Sequence, residues 1–159
     1  MTRLTVQQAR QRGILQGQNK PKKQRKKQVH ITQARWDAFP IEGGVCFVLP
    51  FNMPSLNEWK DWHWGKQRDY KKQLTEDLEK LRLLVGRTLY AKARVEVTHY
   101  FRVVRNRDSG DNFAPKFLLD ALRYAGVIAE DNSNVLQVPE PVFKIDRQAW
   151  RTEVRVLKN

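Results

Sequence analysis

Between residues 94 and 103 the chain alternates without a break. Val95, Val97, His99, Phe101 and Val103 stand on one side, and Arg94, Glu96, Thr98, Tyr100 and Arg102 on the other. Successive side chains of a strand point to opposite faces, so this pattern predicts a long strand with one face buried and the other in water. A half-buried strand requires a sheet with an apolar layer over one side. His99 falls on the inward side and reads as a core histidine. The cover is legible upstream, where Tyr70, Leu74, Leu78, Leu81 and Val85 form the stripe of an amphipathic helix over residues 67–85, closed by Gly86. A second helix is expected downstream. Pro115 suits a first helical turn and Gly126 a C-cap, so this helix starts within 112–115 and ends near Ala125. Gly43-Gly44 marks a turn, and Pro50, Asn52, Pro54, Ser55 and Asn57 a loop. Shorter strands are expected at 45–49, 135–138, 142–145 and 150–156. The order predicts a single α+β domain, a mixed β-sheet with about two helices on one face.

Charge divides the chain. It has 159 residues, with 30 Lys and Arg against 17 Asp and Glu. Ten of the Lys and Arg lie in residues 1–40, where Asp37 is the only acid. The like-charge block at 19–27, with Lys22, Lys23, Arg25, Lys26 and Lys27, cannot bury an apolar face and is expected to be disordered. Residues 1–40 therefore read as a basic arm that contacts phosphates, and 41–159 as the folded domain. The single cysteine, Cys46, sits among Val45, Phe47 and Val48 and reads as a buried, inert thiol in a reducing compartment. No apolar run approaches the ~18 residues of a membrane span. The expected location is cytoplasmic, with no membrane partner.

Five carboxylates cluster at 107–131, against the basic trend: Asp108, Asp111, Asp120, Glu130 and Asp131. Oxygen-only ligands suit a hard cation such as Mg²⁺. A cation held by carboxylates in a basic protein suits phosphodiester cleavage. The bland reading makes Asp108 and Asp111 turn and cap residues, and Asp120 the exposed i,i+4 partner of Lys116. Arg107 is a candidate for gripping phosphate. Residues 57–72 interleave Trp59, Trp62, His63, Trp64 and Tyr70 with Lys60, Lys66, Arg68, Lys71 and Lys72. Aromatics beside cations suit unstacked bases and backbone phosphates, or else a hydrophobic staple or dimer contact.

The same acidic segment resembles the signature of the RusA family of Holliday-junction resolvases. The resemblance rests on Arg107-Asp108, Asp111-Asn112, Lys116, Asp120 with Leu122, Ala125-Gly126-Val127 and the closing Glu130-Asp131. A weaker likeness upstream involves Leu49-Pro50 and Pro54-Ser55-Leu56-Asn57, so the resemblance spans residues 45–156. Ser109 and Gly110 separate the loop aspartates where the family has one residue, and the family's closing pair is two aspartates. The resemblance implies a RusA-like fold and a homodimer. It implies a Mg²⁺-dependent endodeoxyribonuclease that resolves four-way DNA junctions by paired nicks in recombination and repair. Asp108, Asp111 and Asp131 would be metal ligands, and Lys116 would act at the scissile phosphate. Arg107, Lys66, Arg68, Lys71 and Lys72 would contact DNA. The alternatives are a non-catalytic nucleic-acid-binding protein and an adaptor whose arm binds an acidic partner.

Overall fold

The computed structural model describes residues 34–103 and 115–159. Along the chain lie β1 (Asp37–Ile41), β2 (Gly44–Leu49), α1 (Leu56–Asp61), α2 (Trp64–Leu84), β3 (Ala93–Phe101), α3 (Pro115–Tyr124), β4 (Leu136–Gln137), β5 (Val142–Ile145) and β6 (Arg151–Lys158). The strands form one six-stranded mixed sheet, ordered β1-β2-β6-β3-β4 with β5 also on β3. β1, β2, β6 and β3 pair antiparallel. β4 and β5 run parallel to β3, β4 beside Ala93 and β5 beside Thr98–Phe101. Pro139 and Pro141, which lack the N–H a ladder needs, stand between them and split that edge in two.

The expected α+β architecture with a mixed sheet is present. Two details differ. The sheet begins at Asp37, inside the segment read as arm, because residues 37–41 form an edge strand on β2. Pro40 reads as a breaker in sequence, yet an edge strand tolerates it. The described residues also hold three helices rather than about two. The added one, α1, opens on a capping box. Ser55 Oγ accepts from the Glu58 N–H at 3.2 Å, and Glu58 Oε2 accepts from the Ser55 N–H at 2.8 Å. α2 starts at Trp64, three residues ahead of the expected start at 67, with His63 Nδ1 accepting from the Gly65 N–H at 3.2 Å.

One face of the sheet carries the core. Val45, Phe47 and Leu49 of β2, Val95 and Val97 of β3, and Val154 and Val156 of β6 face Leu74, Leu78 and Leu81 of α2 and Phe117, Leu118, Ala121 and Leu122 of α3. The turn after α3 needs a left-handed residue, and Gly126 supplies it at φ +72°. The opposite face meets water and is laced with ion pairs. Glu96 accepts from Arg94 at 2.8 Å and from Arg155 at 3.3 Å. Arg151 reaches Asp146 and Glu153, each at 2.7 Å, and lies 3.8 Å over the Tyr100 ring. Cys46 is buried, and burial is the main reason its thiol is pushed up to about 11, in line with an inert role. Among the described residues, no helix is long and apolar enough to cross a membrane.

His99 is buried as expected, with Nδ1 3.1 Å from Thr152 Oγ1 and its ring 5.5 Å from that of Phe143. Burial lowers its imidazole from 6.5 to about 4. The unfolded chain then binds a proton that the fold excludes. Stability from this group is complete above pH 6.5 and is lost as pH falls from there toward 4. Going from pH 7 to 5, this group should remove about 2 kcal/mol. Urea unfolding at the two pH values checks this. His99→Gln should flatten that part of the profile, and an unchanged profile would assign it to other groups.

Candidate nucleic-acid interface

The three helices meet around a cleft of about 510 Å³ on the helical side of the molecule. α1 contributes Trp59, α2 contributes Arg68 and Lys71, and α3 contributes Lys116, Phe117 and Asp120. Stacked rings tie α1 to α3. Trp59 lies nearly flat on Phe117, with centroids 4.5 Å apart and planes at 16°. Tyr70 meets both edge-on, at 6.0 Å and 5.7 Å, and Trp62 packs 5.4 Å from Tyr70. Such ring pairs add about 0.5–1.5 kcal/mol each beyond area burial. Desolvation also raises the Tyr70 phenol above its ordinary range. Trp59 and Trp62 are therefore structural, whereas Trp64 is 65 % exposed.

The acids and bases pair differently from the local reading. Asp120 is buried, and its Oδ2 accepts from Lys71 Nζ at 2.6 Å. The i,i+4 pairing with Lys116 is thus replaced by one across 49 residues of sequence. α2 lies alongside α3 and brings Lys71 over a carboxylate that burial would otherwise leave unmatched. Lys71 is largely committed to this bond, and Lys116 is exposed at the cleft rim. Arg68 touches Asp69 at 3.2 Å, but both side chains are about two-thirds exposed, so the pair barely reduces its charge. Its guanidinium also sits 5.2 Å from the Trp64 ring. Lys66 lies over Trp62 at 3.9 Å and Lys72 stands 4.0 Å from Glu76; neither lines the cleft.

Arg107, Asp108 and Asp111, like Lys22, Lys23, Arg25, Lys26 and Lys27, lie outside the described residues. The flanks of residues 104–114 are described. β3 ends at Phe101, and α3 opens with Pro115 and Lys116. Asp131 sits near the other end of α3, with Oδ1 3.8 Å from Arg123 Nε. After Gly126 the chain turns back. Tyr90 donates to the Val127 carbonyl at 2.9 Å, and Ala129 donates to Tyr90 at 3.0 Å, in a parallel bridge that heads along β3. It returns about as far as Arg123 before residues 132–135 turn into β4. Lys116 and Arg123 are separated by roughly 10 Å of helix rise.

Asp131 keeps an accessible carboxylate. Its side chain is a third exposed, and the neighbouring guanidinium is beyond hydrogen-bond reach. Oxygen donors alone suit Mg²⁺. Among the described residues, no three His, Cys, Asp or Glu side chains gather to hold a metal, so any such centre needs ligands from elsewhere. Sequence reasoning missed Phe117 and Gln67 as parts of the cleft. Phe117 follows Lys116 directly, but no local pattern announces its contact with Trp59. Compared with known proteins, the chain matches no protein-family model and no curated sequence.

Proposed function

We propose that this chain is a Mg²⁺-dependent, structure-selective endodeoxyribonuclease that acts on four-way junctions as a homodimer. The observation that carries the reading is the convergence of Lys116 with Arg68, Lys71 and Trp64 in one cleft at the start of α3. These residues come from two segments that sequence singled out independently, one for nuclease chemistry and one for nucleic-acid contact. Lys116 offsets the negative charge that gathers on the scissile phosphate as the attacking oxygen adds. Arg68 holds a neighbouring phosphate and fixes the strand's register. The buried Asp120 holds Lys71 against α3 and keeps the α2 wall of the cleft in place. Asp108, Asp111 and Asp131 would hold Mg²⁺, which supplies charge neutralisation and a more acidic water. A two-fold dimer would match the symmetry of a junction and place a site on each of two opposed strands.

The decisive experiment compares four-way junction, flap and linear duplex in Mg²⁺. Paired nicks in the junction are expected, with Lys116→Gln slowing them about 100-fold. Equal cutting of all three substrates, or of none, would overturn the proposal. The Asp131–Arg123 pairing favours one second reading, binding without cleavage. Tight junction binding with no cut in Mg²⁺ would select it.

A further inference from the structure

We infer that the cleft between α2 and α3 is a pocket for one unstacked nucleobase, with Trp64 as its stacking face. The inference rests on the nucleic-acid reading above and adds to it a specific ligand group. Trp64 begins α2 and is 65 % exposed, with the His63 ring tilted against its own at 5.4 Å, and the rings of Trp59 and Phe117 are stacked on each other. An accessible indole offers a face on which a flat, unstacked base gains stacking energy. The cations around it narrow what that can be. Arg68 lies over one face of the indole, 5.2 Å from its centroid, and Lys116 lines the same cleft, so a planar group carrying phosphate finds the indole's other face and two cations.

Gln67 supplies a polar edge. Its amide nitrogen donates to the carbonyls of Trp59 and Trp62, at 2.8 Å and 3.2 Å. With the nitrogen occupied, the side-chain oxygen is the group it can offer to a ligand in the cleft. Every base carries an N–H on its pairing edge, and that edge is exposed only when the base leaves its partner. A paired base inside a duplex presents neither a free face nor a free edge. The pocket therefore selects single strands, and branch points at which a base is drawn out of its pair, over continuous duplex. Its volume of about 510 Å³ lies within the ~300–1,000 Å³ of sites that enclose small molecules.

The test uses the full chain in Ca²⁺, with binding to a four-way junction and to a linear duplex measured across a salt series. Trp64→Ala should weaken junction binding about tenfold and leave duplex binding unchanged. The salt slope should stay the same, because stacking releases no counterions, whereas Lys116→Gln should lower it by about one. Trp64→Phe should recover most of the loss. Trp64 is exposed, so the melting temperature of each variant should match the parent. Junction binding unchanged in Trp64→Ala overturns the pocket and leaves the nuclease reading standing. Equal losses on junction and duplex also overturn it. A parent chain that binds junction no better than duplex removes both.

Discussion

Asp131→Asn should cut a four-way junction at least ~100-fold more slowly than the parent in Mg²⁺, while binding it as tightly or more tightly. An amide cannot replace the anionic oxygen that a hard cation prefers, and, on the proposed function, losing a negative charge beside DNA would lower phosphate repulsion. Asp111→Asn should show the same split, and Asp108→Asn a weaker form of it. The competing role for Asp131 is local, as counter-charge to Arg123 at 3.8 Å. A pair as exposed as this contributes about 0–1 kcal/mol. In that case Asp131→Asn would shift the thermal melt slightly and leave cutting intact. Single-turnover cleavage in Mg²⁺, binding in Ca²⁺ and a melt on the same preparation distinguish the roles. Near-normal cutting by both Asp111→Asn and Asp131→Asn would end the metallonuclease proposal.

Phe117→Ala should cost about 3–5 kcal/mol of folding stability. The ring is 2 % exposed, and it joins the α2–α3 core to Trp59 of α1. Set against the ~5–15 kcal/mol that holds a typical domain together, this is a large share. Phe117→Leu keeps most of the volume and should cost less than ~1.5 kcal/mol. Urea unfolding gives both values. The alanine variant should also bind junction DNA less well under conditions where it remains folded, because α1 loses the ring that seats it. A loss below ~1 kcal/mol for Phe117→Ala would mean that the aromatic stack is not a structural joint.

Regular periods made the scaffold legible. The alternation through Val95, Val97 and His99 and the stripe through Leu74, Leu78 and Leu81 each located an element and its buried face. Elements without such a period escaped. β1 is a short edge strand holding a proline, and most of its residues are not buried. α1 contains no buried residue, and Pro50 and Pro54 just before it argued for a loop despite the Ser55–Glu58 box. The candidate site was legible as composition and only partly as geometry. Cations among tryptophans marked the correct stretch, yet sequence could not distinguish Trp64, which is open, from Trp59 and Trp62, which are packed. Nor could it pair Lys71 with Asp120, since the contact depends on how two helices lie together. The position of Asp131 depends on where the chain turns after Ala129, which residue type alone does not determine.

The ion-paired face of the sheet bears on how the molecule presents itself to a polyanion. The formal charge of +13 suggests attraction from every direction. Arg94, Arg151 and Arg155, however, are each answered by a carboxylate within 3.3 Å. Around those three guanidinium groups the positive charge of the sheet is locally balanced. Lys116 and Arg68 stand on the other side, exposed at the cleft. On the proposed function, a DNA strand would find its exposed cations on the helical side rather than on the sheet. One neutral substitution, Glu96→Gln, would undo that balance by leaving both Arg94 and Arg155 unanswered, whereas Glu153→Gln would leave Arg151 its bond to Asp146.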